Sequence, residues 1–124
     1  MTLQISEDKM AEYRAGYKKR QKAAQLALDV RFNLAWAIAQ QGANLLRTQF
    51  LAEKVVVFGS LGQRDLFHDR SDIDLAVWGL SEDVYLQSLG VLTDLTTDFT
   101  IDLVRFEAAP DRLRHYIETE GILL

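Results

Sequence analysis

Cysteine is absent from this chain, and proline occurs once, at Pro110. Without cysteine there is neither a disulfide framework nor a thiolate metal site. Without proline upstream of Pro110, nothing there forbids long helices. No apolar run approaches the roughly 18 residues needed to span a bilayer, so no membrane partner is expected. The opening Met1-Thr-Leu-Gln-Ile-Ser-Glu-Asp has no basic segment followed by an apolar one, so it does not read as a secretory signal, and a cytoplasmic location is expected. Internal repeats, linkers and low-complexity stretches are also missing. What remains is a chain of 124 residues, 48% hydrophobic and 26% charged, with a net charge of −4. That suits one globular domain, residues 1–124.

The net charge hides an asymmetry. Residues 1–50 hold eight basic and four acidic residues, whereas residues 51–124 hold six basic and fourteen acidic. An acid excess in the second half serves either solubility or a cation site. The same boundary divides the structural pattern: residues 1–50 read as a helical N-terminal region and residues 51–124 as a core of strands and shorter helices. Ser6 is a suitable N-cap, with Glu7 and Asp8 in the first turn. Ala23, Ala27, Val30, Leu34, Ala37 and Gln41 recur at helical spacing, widened by Ile38, Leu45 and Leu46. Gly42 weakens the pattern, predicting two helices, or a frayed one leading into a firm one, rather than a single rod.

Lys54 to Phe58 is β-branched, stopped by Gly59, and reads as a buried strand. Asp72 to Trp78 alternates carboxylate and aliphatic side chains and predicts a second strand ended by Gly79. Ser81 caps a helix expected to reach about Thr96. Phe99 to Val104 alternates again as a third strand. Pro110 and Asp111 open a last helix that turns Leu113, Tyr116 and Ile117 inward and stops at Gly121. A short additional strand is expected from residues 64–69. The fold class is α/β (α+β by stricter naming), a small mixed sheet with helices on one face.

Strand alternation carries the chemistry. Ile73, Leu75 and Val77 share one face and Asp72, Asp74 and Ala76 the other; Phe99, Ile101 and Leu103 oppose Thr100, Asp102 and Val104. If the apolar sets pack on helices, Asp72, Asp74 and Asp102 converge on the opposite surface. Converging carboxylates repel one another unless a cation binds them. Oxygen donors without nearby His or Cys favour Mg²⁺, or Mn²⁺, over Zn²⁺. Mg²⁺ held in this way takes its remaining ligands from water and substrate phosphates, and two such ions could clamp a phosphoryl-type displacement. Solvated strand ends are the alternative for any one of these aspartates.

Upstream lies a strand followed by a small-residue turn, Val57-Phe-Gly59-Ser60-Leu-Gly62. Gly59 allows close backbone approach, and free N–H groups at such a turn attract anions. Gly59-Ser60, eleven intervening residues and Asp72-Ile-Asp74-Leu-Ala-Val, with Asp102 on a later strand, resemble the signature of the DNA polymerase β-like nucleotidyltransferases. The size and the ending Ile117-Glu-Thr-Glu-Gly-Ile-Leu resemble its minimal members, often the antitoxin partners of HEPN-domain ribonuclease toxins. The resemblance covers roughly residues 45–124 and implies a nucleotidyltransferase fold with an N-terminal helical extension.

The resemblance further implies that Gly59 and Ser60 hold the nucleoside triphosphate, that Asp72 and Asp74 bind metal, and that Asp102 is a third ligand and base. The implied reaction transfers AMP, or another nucleoside monophosphate, from ATP or a related nucleotide to a hydroxyl of a HEPN-type toxin, using Mg²⁺. Where many relatives carry Ala-Arg-Gly, this chain has Leu61-Gly-Gln-Arg64, so Arg64 is a displaced candidate for phosphate contact. Ser71 either binds a phosphate or fixes its turn. Trp78 either lines a base pocket or covers the sheet edge.

The cluster from Lys18 to Lys22 reads as a solvated helix face rather than a nucleic-acid site. Tyr13 and Tyr17 stack either on a partner helix or within the chain. His68 and His115 read as surface or structural residues. Neither makes the Arg-x4–6-His pattern of HEPN toxins, since Arg64 and His68 have three residues between them and Arg112 and His115 have two. Two alternatives stand beside the transferase: an antitoxin acting by occlusion, and an antibiotic-modifying transferase, disfavoured because no second domain holds the acceptor. The acceptor is therefore expected on another chain, in a homo- or hetero-oligomer.

Overall fold

The structure is a computed structural model describing residues 6–124. The reading of Met1 to Ile5 as free of a signal lies outside the described residues.

Helix α1 runs Glu7–Gln49, 43 residues without a break, and Ser6 caps it by accepting from the Lys9 N–H. The expected interruption at Gly42 does not occur. A glycine costs a helix about 1 kcal/mol relative to alanine. Here the cost is offset by burial of Ala35, Ile38, Ala39, Ala43 and Leu46 on the same face. Gly42 also makes room: a Cβ there would lie 3.1 Å from Leu92 Cδ2 and 3.6 Å from Leu75 Cδ1. The glycine is a site of close approach, not a hinge.

Among the described residues four strands form one sheet: β1 Lys54–Phe58, β2 Ile73–Trp78, β3 Ile101–Arg105 and β4 Ile122–Leu123, in the order β3-β2-β1-β4. β1 is antiparallel to β2 and β4, while β2 and β3 are parallel, so the sheet is mixed. The strand expected at 64–69 is instead a 3-10 turn at Arg64–Leu66. The fourth strand comes from the C-terminus, where Gly121 ends the last helix and lets the chain fold back along β1. α2 runs Tyr85–Thr93, shorter than expected, preceded by a 3-10 turn capped by the Ser81 side chain. α3 runs Asp111–Glu120, directly after Pro110.

Alternation places the core as expected. Ile73, Leu75, Val77, Phe99, Ile101 and Leu103 are buried against α1 and α2 through Leu46 and Leu92. The last helix departs from the single-faced arrangement. α3 sits on the opposite face, where Ile117 packs on Val56, Phe58 and Ala76. It covers the β1 side of that face and leaves the Asp74 and Asp102 positions free of helix.

Candidate active site

The parallel register of β2 and β3 sets Asp74 directly beside Asp102, with Leu75 beside Leu103 buried behind them. Neighbouring strands lie roughly 4.8 Å apart, so two carboxylates on one face must meet. They do: the two carboxylates come close enough for Asp102 to oppose ionisation of Asp74. Asp74 is pushed up from 3.8 to about 6, by burial first, then by the charge of Asp102, the hydrogen bond to it, and the charge of Asp72.

Asp72 precedes β2 and is exposed. Its charge acts on Asp74, but no three acidic or histidine side chains close around one ion position among the described residues. Asp74 and Asp102 form a tight pair, and Asp72 lies near enough for its charge to act on Asp74. The donor set still fits a hard divalent ion: it is all oxygen, and the ground-state repulsion at Asp74 is what a cation would relieve. One or two protein carboxylates are the usual complement for Mg²⁺ that also binds phosphates.

The Gly59 turn meets this pair. Phe58, the last residue of β1, is the register partner of Asp74, so the chain leaves the sheet beside that carboxylate. Gly59 has φ +71°, and a Cβ on it would collide with Asp74 Oδ2. Only glycine combines this backbone with this proximity. Sequence reasoning assigned Gly59 to the phosphate and missed its packing on the carboxylate, a relation that needs the β1–β2 register. Ser60 follows in a 3-10 turn, Gly59–Gly62, anchored by buried Leu61.

Two sequence candidates point elsewhere. Arg64 forms an ion pair with Asp29 of α1, and its guanidinium lies 4.8 Å over the Phe32 ring. A contact across 35 residues leaves no local signal, so Arg64 had looked available for phosphate. Ser71 is buried, and its hydroxyl accepts from the His68 N–H at 2.9 Å, which fixes the turn before Asp72. Ser71→Ala is expected to cost about 1 kcal/mol in urea unfolding by leaving a donor unmet, with KM for nucleotide unchanged.

Trp78 is four residues from Asp74, roughly 13 Å along the strand. It stacks on Phe106 at 4.3 Å between centroids, and Lys54 Nζ lies 4.6 Å from its ring. It covers the sheet and does not line the site. His68 and His115 are exposed, as expected. Arg31 belongs to no motif in the sequence. In the structure Arg31 stacks on Phe99 at 4.1 Å and donates to the carbonyls of Asp98 and Ser71, clamping α1 to the segments that enter β3 and β2.

Among the described residues, no helix is long and apolar enough to cross a membrane. The family model "Polymerase beta, Nucleotidyltransferase" matches residues 40–124. No relative matches among curated proteins. Solved structures similar to this chain include two toxin-antitoxin structures. One is a toxin-antitoxin with AMP-PNP, 28% identical, TM-score 0.55, covering 64% of this chain and 66% of that one. The other is a mutant of the toxin-antitoxin MntA-HpeT carrying two Asp-to-Glu changes, 25% identical, TM-score 0.57, covering 68% and 70%.

Proposed function

We propose, for a chain that belongs to the polymerase β nucleotidyltransferase family, that it is an antitoxin enzyme that transfers AMP from ATP to a hydroxyl of a HEPN-type RNase toxin. The observation that carries this reading is the Asp74–Asp102 pair beside the Gly59 turn. Support comes also from the similar toxin-antitoxin structures, one with the ATP analogue AMP-PNP and one in which two aspartates two positions apart were changed. Asp72 and Asp74 have that same spacing.

Asp74 and Asp102, with Asp72, would hold Mg²⁺, which when bound supplies charge neutralisation for the triphosphate and the departing pyrophosphate. The chain's own groups do the rest. The Gly59-Ser60 turn receives the triphosphate through backbone N–H groups and the Ser60 hydroxyl. Asp102 accepts the proton of the attacking hydroxyl. The hydroxyl oxygen bonds to the α-phosphorus, the bond to the β-phosphate oxygen breaks, and pyrophosphate leaves with that electron pair. Arg64 and Ser71, occupied by Asp29 and His68, are left out of this assignment.

The test incubates the protein with Mg²⁺, α-labelled ATP and the toxin encoded beside it. Label is expected on the toxin and absent with Asp74→Asn or Asp102→Asn. If those variants neutralise the toxin as well as wild type, occlusion replaces transfer as the mechanism.

A further inference from the structure

The first half of α1 has no cover. From Glu7 to Ala27 every residue is exposed except half-buried Gly16, and burial in the body begins only with Leu28. At 1.5 Å per residue this projects roughly 30 Å. Most helix stability in proteins comes from packing one face against another surface, so an uncovered stretch this long calls for a partner.

The uncovered face has a pattern of its own. Leu26, Val30 and Leu34 are 65%, 68% and 44% exposed, and Ala23 and Ala37 flank them. All five lie within about 40° of the Val30 direction on the helix, away from the face that carries Ala35, Ala39 and Leu46 into the core. Outward, the same line continues through Lys19 on one side and exposed Gln41 on the other.

The sequence along this seam is symmetric about Val30. Its spacing is three, four, four, three, and its residues are Ala, Leu, Val, Leu, Ala. A two-fold axis through Val30 sets a second, antiparallel helix with Ala23 opposite Ala37, Leu26 opposite Leu34, and Val30 on itself. Self-complementarity of this kind is what an isologous interface requires, and a different protein would have no need of it. Small residues at the flanks let the helices approach closely.

Charge agrees with the antiparallel sense. Residues 7–25 hold six basic and three acidic residues, while the body, residues 51–124, holds six basic and fourteen acidic. Antiparallel pairing about Val30 sets each basic arm beside residues 35–53 of the other copy, where the only charged residues, Arg47 and Glu53, balance. Lys19 then meets neutral Gln41, so no like charges face each other along the seam. Parallel pairing would stack the two basic arms.

We infer that the outward face of α1 is a homodimer seam, a two-fold antiparallel helix pair centred on Val30. The test is the mass of the full chain by light scattering at micromolar concentration. Wild type is expected at about 28 kDa, twice its 14.1 kDa. Val30→Glu places two carboxylates at the axis and is expected to weaken the dimer at least about a hundredfold, with circular dichroism showing the body still folded. Leu86→Glu, at an 78% exposed site on α2, is expected to leave the dimer intact.

Register is tested separately. Leu26→Glu and Leu34→Lys are each expected to dissociate the dimer, and the double variant to restore it, because each new acid then faces a new base across the axis. A monomeric wild type, as a seam for a different protein or a lipid surface would give, overturns the inference. So does a dimer indifferent to Val30→Glu, or a double variant that fails to re-form one.

Discussion

Asp74→Asn is expected to lower nucleotide transfer by roughly a thousandfold, the scale of removing one preorganised charge-stabilising group, and at the same time to raise the melting temperature of the metal-free protein at pH 7.5. The two effects share one cause. Asp74 titrates at about 6 in the folded chain against 3.8 ordinarily, chiefly because it is buried and then because Asp102 and Asp72 face it. A raised pKa means that the folded state holds this proton more tightly than the unfolded state does. The stabilisation is fully present below pH 3.8 and is lost as pH rises through about 6. Above that, the metal-free protein carries repelling carboxylates at its sheet surface. Asn in place of Asp74 keeps the shape and removes that charge, so it relieves the repulsion and also removes the proposed metal ligand.

The measurement is a set of melting curves from pH 4 to pH 8, with chelator and with Mg²⁺. Metal-free wild type should lose stability relative to Asp74→Asn as pH passes 6. Mg²⁺ should stabilise wild type more at pH 7.5 than at pH 5, because a proton competes for the same oxygens, and should leave the variant unmoved. A variant no more stable than wild type at pH 7.5 would mean that the carboxylate is held by contacts other than repulsion. Stored electrostatic strain of this kind is a common cost of a catalytic surface.

The parts of this site visible in the sequence are those governed by strand periodicity. Asp74 and Asp102 each sit one position from a buried aliphatic, so alternation alone put them on the face away from α1 and α2. Asp72 follows the same alternation one residue before β2, and its charge reaches Asp74. What was not legible depends on contacts distant along the chain. Arg64 finds Asp29, Arg31 reaches the carbonyls of Ser71 and Asp98, and Ile122 and Leu123 pair with β1 without any periodic signal of their own. Gly42 was misread because helix propensity is local, whereas the space it leaves for Leu92 and Leu75 is tertiary. The apolar residues of α1 read in sequence as one widened face, and the structure divides them into a core stripe and an outward one.

Gly59→Ala is the second substitution with a large expected effect, and it probes the link between the turn and the carboxylate. Alanine at φ +71° costs about 1–2 kcal/mol from the backbone alone. Its Cβ would also collide with Asp74 Oδ2, so either the turn or the carboxylate must move. If the carboxylate moves, it leaves Asp102; if the turn moves, Ser60 leaves the position proposed for the triphosphate. Both routes abolish productive geometry, and misplacement of about 1 Å can cost a hundredfold in rate. Transfer is therefore expected to fall at least that far.

A double-mutant cycle separates backbone strain from collision. With Asp74→Ala as the background, the carboxylate is gone and only the strain remains, so Gly59→Ala should destabilise the chain less than it does in wild type. An interaction energy of about 1 kcal/mol or more by urea unfolding is expected for residues in direct contact. Strict additivity would place the whole cost in the backbone and leave Gly59 as a turn residue with no part in seating Asp74. Coupling would make the first strand's exit and the second strand's acid a single unit, which explains why the glycine is needed where β1 leaves the sheet and not merely somewhere in the loop.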